Sequence, residues 1–240
     1  MSGAVSPLHL KPATEIADRV LLPGDPHRAL AVAQAVLEGP RMFNHRRGLW
    51  GYTGTASDGG LLSVQSTGMG GPSAAIVVEE LVALGVRRFV RIGTCGALDP
   101  ALGLGELLVA TAVLSEDGTS RALGAPACLL PDPGLTTALT EAGGRPTTVV
   151  TTDLFYDARE GLHERWTAAG AAAVEMEAAA VLRVAELRGA RAACVLAVSD
   201  ELTAGGGRRR IGDEALERAG IRLGEIGAAA LTGEWPPSTG

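Results

Sequence analysis

Short apolar runs rich in β-branched residues alternate with stretches of helical spacing along almost the whole chain, and this alternation constrains the fold more than any other feature. "RVLL" (19–22) precedes the turn "PGDP", after which "HRALAVAQAVLE" (27–38) repeats small apolar residues at helical intervals. "GLWGYTGTASDGGLLSVQSTG" (48–68) has the form of a hairpin turning at Asp58-Gly59-Gly60. "GPSAAIVVEELVALG" (71–85) predicts a helix with Pro72 in its first turn and Gly85 at its end. Strands "RRFVRIGT" (87–94) and "ELLVATAVL" (106–114) follow, then a weakly patterned stretch over 115–144 expected to be loop and helix. "AAVEMEAAAVLRVAELRG" (172–189) predicts a helix, "ARAACVLAVSD" (190–200) a buried strand, and "DEALERAGIRLGEIGAAALTG" (213–233) a closing helix. The tail "EWPPSTG" is expected to fray. The pattern is that of one α/β domain over 1–240 with a largely parallel sheet, whose ligands belong at the carboxyl ends of the strands.

Composition removes several function classes. With a net charge of -6 and only 3% aromatic residues, the chain lacks the basic, aromatic-studded face of a nucleic-acid binder. The amino-terminal segment has no basic flank followed by an apolar run, and "AAIVVEELVALG" is interrupted by glutamates, so no membrane partner and a cytoplasmic location are expected. Cys95, Cys128 and Cys194 are widely spaced, and His9, His27, His45 and His163 lack ligand spacing; neither a disulfide framework nor a metal site is expected.

Five segments could carry chemistry. In "LLPGDPHRA", Gly24 permits close backbone approach and Arg28 sits in the first turn of a helix, a setting that favours an anion; the same residues also make an ordinary turn. "STGMGGPSAA" leads Gly68, Gly70 and Gly71 into a helix, but Ser73 stands where a dinucleotide fingerprint needs its third glycine, so a Rossmann cofactor is disfavoured. In "VRIGTCGAL", Arg91 lies on an otherwise apolar strand, where it needs either an anionic ligand or an internal carboxylate. Thr94 offers a hydroxyl beside it, and Cys95 reads as a small core residue, no histidine being near it in sequence. "AVEMEAAAV" places Glu175 and Glu177 at a helix start facing different directions, as sugar ligands or as partners of the helix dipole. Finally "CVLAVSDELTAGGGRRR" delivers Asp200 to a strand end and follows it with three arginines, either a proton donor beside a cation or a solvated loop.

Taken in order, "HLKPATEIADRVLLPGDPHRA", "NHRRGLWGYTG", "STGMGGPSAAIVVEEL", "VRIGTCGAL", "TTDLFY", "VEMEAAAV" and "VSDE" resemble the nucleoside phosphorylase family that includes bacterial purine nucleoside phosphorylase and uridine phosphorylase. The resemblance implies a three-layer αβα domain around a mixed, partly barrel-like sheet. It implies a phosphate site of Gly24, Arg28, Arg91 and Thr94, with Arg47 reaching in from a neighbouring subunit. His9, also from the neighbour, would meet the ribose 5'-hydroxyl; Met69, Met176 and Glu177 would hold the sugar, Glu177 taking the 2'- and 3'-hydroxyls. Cys95, Gly96, Phe155, Val174, Glu175 and Ser199 would surround the base, and Asp200 would be its general acid, assisted by one of the arginines, with Arg208 the first of the three. In the purine enzymes that arginine follows the acid at a longer interval, within a helix, and here the spacing departs from the pattern. Inorganic phosphate would be co-substrate with no further cofactor, and the active form would be a homo-oligomer with shared sites, commonly a hexamer built as three dimers.

By the same resemblance, "FYDAREG" lacks the Gln that uridine phosphorylases place after the Phe-Tyr pair, and Asp200 is present where they lack an acid; purine nucleosides are therefore expected. Arg159 keeps uridine as the alternative, because it could reach a uracil carbonyl. Arg28, Arg47 and Arg91 argue for phosphorolysis over the hydrolysis of a methylthioadenosine-type nucleosidase, and also against a binding module without turnover. The preferred nucleoside, the sugar and the direction of flux stay open.

Overall fold

In chain order, β1 (Arg19–Pro23) leads into α1 (Pro26–Val36), followed by β2 (Glu38–Asn44), a 3-10 turn (Arg46–Gly48), β3 (Gly51–Thr55) and β4 (Leu61–Gln65). After α2 (Gly71–Ala83) come β5 (Arg88–Ala97), β6 (Leu107–Ser115), α3 (Gly118–Ala122), β7 (Cys128–Leu129), α4 (Pro133–Glu141) and β8 (Arg145–Thr151). The chain closes with α5 (Leu162–Ala168), β9 (Ala173–Glu175), α6 (Ala178–Leu187), β10 (Arg191–Leu202), β11 (Arg208–Arg210) and α7 (Asp213–Thr232). This computed structural model describes residues 6–202 and 207–233. The tail expected to fray and the segment "TAGG" (203–206) lie outside the described residues.

The strands form one mixed sheet in the order β11-β10-β6-β8-β9-β5-β1-β4-β3-β2, and a further β10–β5 pairing closes β10, β6, β8, β9 and β5 into a five-stranded ring. β5 is the hub: it pairs parallel with β1 and β10 and antiparallel with β9. The expected largely parallel sheet is thus a mixed one.

Strict alternation along the central strands sorts their side chains into two cores. On β10, Ala192, Cys194, Leu196 and Val198 join Val20, Leu22 and Phe89 beneath α2 and α6. Ala193, Val195 and Ala197 join Leu21, Val90 and Ile92 beneath α1, α4 and α7. The helices meet these faces with helical spacing: Ala74, Val77, Val78 and Leu81 on α2, and Ala219, Leu223, Ile226 and Ala230 on α7. Three layers result, and each fully buried leucine contributes about 1.5–3 kcal/mol against the entropy of ordering it. Helix α7 comes unusually close to α1, since a Cβ at Gly224 would stand 2.6 Å from Cγ1 of Val32.

Two sequence expectations are corrected here. The segment read as one helix from 172 is strand β9 over Ala173–Glu175, with α6 beginning only at Ala178, because backbone pairing to β5 and β8 outcompetes the helix preference of the alanines. The arginines read as a loop form β11, antiparallel to the end of β10, with Asp200 opposite Arg210, Glu201 opposite Arg209 and Leu202 opposite Arg208. Strands β2 and β8 and helix α5 lay in segments to which the sequence pattern assigned no element.

Candidate active site

The carboxyl ends of β1, β4, β5 and β10 share one edge of the sheet, and nearly all the expected residues gather there. The loops after β1 and β4 are tied to one another: the amide of Thr67 donates to Pro23 (2.8 Å) and that of Gly68 to Gly24 (3.0 Å). A Cβ at Gly24 would stand 3.3 Å from the Gly68 carbonyl, so the pair leaves little room for any other residue. Asp25 caps α1 by accepting from the amide of Arg28 (2.8 Å), which sets Arg28 in the first turn at the positive end of the helix dipole.

Arg91 is the centre of this edge. Its side chain is 3% exposed and shares the face of Phe89, where Nε donates to Oε2 of Glu175 (2.9 Å) and Nη2 reaches both Glu175 (2.9 Å) and Glu177 (2.5 Å). Gly93 makes the space: a Cβ there would lie 2.6 Å from Nη2 of Arg91. Burial works against the charge of Arg91, but Glu177 and Glu175 outweigh it and hold the guanidinium above its ordinary value. Nη1 is buried and makes no hydrogen bond among the described residues. Arg28 is pulled below its ordinary value, first by burial and then by the proximity of Arg91, against the pull of Asp25 and Glu177. Arg28 and Arg91 are thus two cations held close, the second shared with two carboxylates and with one nitrogen that makes no hydrogen bond among the described residues.

The two glutamates divide their tasks. Glu175, expected beside the base, is a buried hub that accepts from Arg91, from the amides of Glu177 and Ala178 (both 2.9 Å) and from Thr151. Glu177 stands just before α6 without a side-chain capping bond; its carboxylate pairs with Arg91 and accepts from the amide of Gly70. Burial pushes its carboxyl upward, Glu175 adds to that, and Arg91, the Gly70 amide and Arg28 oppose it. Thr94, Gly96, Val174 and Met176 are the half-exposed residues between buried neighbours on β5 and along β9 into the following turn, and Met69 is 87% exposed.

A β-bulge between Val198 and Asp200 re-aims the end of β10. Asp200, 6% exposed, accepts from Oγ of Ser199 at Oδ2 (2.8 Å), and its Oδ1 is buried without a hydrogen-bond partner. Ser199 Oγ also lies 3.2 Å from the carbonyl of Cys95, and the Cys95 thiol is buried and pushed well above its ordinary value, first by burial. The nearest of the three arginines to that free carboxylate oxygen is Arg210, with Nη1 3.9 Å from Oδ1. Arg209 instead pairs with Glu201, and Arg208 stacks its guanidinium 4.5 Å from the ring centroid of Phe155.

His9 and Arg47 stand apart from this cluster. They share a cavity of about 530 Å³ with Leu8, His45 and Arg46. Arg47 adopts φ 56° and is, among the described residues, the one non-glycine with a positive φ, a conformation that costs about 1–2 kcal/mol. Arg159 turns back on Asp157, with Nε donating to both carboxylate oxygens (2.9 and 3.1 Å), and holds that carboxyl down to about 2. Sequence reasoning missed Thr151 and Glu80, which lies 2.6 Å from the ring of His9, because each contact joins distant segments with no local motif to announce it; it left open which of Arg208, Arg209 and Arg210 meets Asp200.

A family model described as the Phosphorylase superfamily matches residues 18–232. The chain belongs to the Phosphorylase superfamily. A purine nucleoside phosphorylase DeoD-type of Geobacillus kaustophilus is 40% identical over 200 residues, covering 80% of this chain and 84% of the relative. Proteins of the same name from Oceanobacillus iheyensis and Roseobacter denitrificans are 37% and 34% identical over 80% of the chain, covering 85% of each relative. The superfamily's mixed sheet within three layers is the architecture described above. Among the described residues, no helix is long and apolar enough to cross a membrane.

Proposed function

We propose that the chain is a purine nucleoside phosphorylase, a pentosyltransferase that reversibly converts purine ribo- or deoxyribonucleosides and phosphate to free base and pentose 1-phosphate. The observation that carries this reading is Asp200, a buried carboxylate with one oxygen that makes no hydrogen bond among the described residues and faces Arg210, at the edge where Nη1 of Arg91 makes none either. The relatives' names support it.

The chemistry follows from the residues. Phosphorolysis passes through an oxocarbenium-like sugar with the base leaving as an anion. Arg28, Arg91, Thr94, the backbone at Gly24 and Arg47 from a second copy hold the phosphate dianion beneath the anomeric carbon, turning an encounter into a fixed geometry. Glu177 gives up part of its contact with Arg91 to take the 2'- and 3'-hydroxyls, while Met69 and Met176 pack on the sugar. Asp200 protonates purine N7, an effect of about 10²–10⁴-fold for a placed general acid, and Arg210 compensates the charge left on it. The base lies among Cys95, Gly96, Val174, Phe155 and Ser199, with Arg208 holding Phe155. Inorganic phosphate is the co-substrate, without a further cofactor. The oligomer is a hexamer of three dimers in the cytoplasm, the dimer uniting His9 and Arg47 with the rest of the site, and its place is purine salvage.

The test is base release from inosine, adenosine and uridine, each with and without phosphate. Phosphate-dependent release from the purine nucleosides is expected. Release from uridine alone would overturn the role of Asp200, and release without phosphate would make the enzyme a hydrolase.

A further inference from the structure

We infer that Glu80 is a positioning residue for His9 and, through it, a determinant of specificity for nucleosides that carry a free 5'-hydroxyl. The inference rests on the phosphorylase reading and adds to it a residue that touches no substrate.

Glu80 projects from α2 and is 4% exposed. Its Oε1 accepts from the amide of Leu8 (3.0 Å) and lies 2.6 Å from Nδ1 of His9; its Oε2 accepts from the amides of His9 (2.9 Å) and Leu10 (2.7 Å). One carboxylate thus clamps three consecutive amides and the ring of a segment about seventy residues away in the chain. Burial raises the Glu80 carboxyl, but the amide of Leu10, the ring of His9 and the amides of Leu8 and His9 together bring it below the ordinary value, so it is ionised.

An ionised carboxylate has no proton to give, so the proton in the His9–Glu80 contact sits on Nδ1. With Nδ1 engaged by Glu80, Nε2 is the ring nitrogen left for a ligand, and the ring is held in orientation as a metal-ligating histidine is by its carboxylate partner. The His9 side chain is 31% exposed on the wall of the cavity it shares with Arg47. A ring nitrogen fixed at that wall pairs with a hydroxyl, and the 5'-hydroxyl is the group at that end of a nucleoside that can meet it; a 5'-deoxy analogue leaves the nitrogen unpaired. A carboxylate that served only to anchor residues 8–10 would affect both substrates alike.

The experiment compares kcat/KM for inosine and 5'-deoxyinosine at saturating phosphate in the wild type, Glu80→Gln, His9→Ala and the double variant. The wild type is expected to favour inosine by about 10²-fold or more, as sites built around a substrate hydroxyl do. His9→Ala should bring the ratio near one, Glu80→Gln should lower it at least about 10-fold with inosine losing far more than 5'-deoxyinosine, and the double variant should match His9→Ala. Equal losses on both substrates in Glu80→Gln, with the ratio kept, overturn the inference and leave Glu80 an anchor. If Glu80→Gln does not fold, Glu80→Asp, which keeps the charge but withdraws it by one methylene, is read on the same ratio. A wild type that cleaves inosine with a ratio near one overturns this inference alone; one that releases no base from inosine overturns the phosphorylase reading and this inference with it.

Discussion

Nη2 of Arg91 lies 2.5 Å from Oε2 of Glu177, so the cation expected to hold phosphate and the carboxylate expected to hold the sugar neutralise one another. Substrates therefore compete with an internal ion pair, and each should alter what the other finds. Glu177→Gln removes the competitor for Arg91. Phosphate alone should bind that variant more tightly than the wild type by titration calorimetry, while kcat/KM for inosine falls by about 10²–10³-fold as the sugar hydroxyls lose a charged acceptor. Weaker phosphate binding in the variant would contradict the competition.

Asp200→Asn keeps the shape of the acid and removes its proton. It should lower kcat for inosine by about 10²–10⁴-fold. For 7-methylinosine, whose base leaves without protonation at N7, the loss should be far smaller. Equal losses would assign Asp200 to binding rather than proton transfer.

The register of β11 sets Arg210, and not Arg208, against Asp200. Arg210→Ala is expected to lower kcat for inosine by roughly 10-fold, the size of a partly exposed charge acting on a buried acid. Arg208→Ala should act mainly on KM, since its contact is with Phe155. Steady-state kinetics of the two single variants decide the assignment, and the reverse pattern would return the role to Arg208.

Gly93→Ala places a methyl 2.6 Å from Nη2 and 2.8 Å from Cζ of Arg91, and 2.9 Å from Cδ2 of Leu196. The guanidinium must move, and it cannot do so without loosening Glu175 or Glu177. The KM for phosphate should rise at least about 10-fold, and stability should fall by about 1–3 kcal/mol as for other overpacked interiors. A variant with unchanged phosphate KM would mean that Arg91 does not hold the anion.

Away from the site, buried Arg19 pairs through Nη1 and Nη2 with Asp58 (2.6 and 2.7 Å). The Arg19 hydrogen bonds hold the Asp58 carboxyl down to about 2. Because the folded value is below the unfolded one of about 4, this pair stabilises the fold above that unfolded value and is lost as pH falls from about 4 toward 2. Asp58 is partly exposed, so the pH-dependent part amounts to about 1 kcal/mol after screening. Asp58→Ala also strands the buried guanidinium, and a total loss of about 2–3 kcal/mol is expected, seen as a fall in Tm of several degrees at pH 7 that shrinks toward pH 2.

The sequence alone was enough for the layered α/β architecture, because alternation of two hydrophobic periods is a local property that survives without any partner. It was also enough for Gly24, Arg28, Arg91, Thr94, Glu177 and Asp200 as the residues to inspect, since a charge at the end of an apolar strand is legible in one dimension. What it misjudged were the places where a distant backbone overrides local preference. Residues 173–175 look helical and become a strand because β5 and β8 offer them hydrogen bonds. Three arginines look like a loop and become a strand because the end of β10 is an open edge. Which arginine faces Asp200, which carboxylate clamps His9 and how Arg91 is shared between two glutamates were decided by tertiary structure alone. Each depends on strand register or on contacts between segments about 70–90 residues apart in the chain, and a single sequence carries no local trace of such pairings.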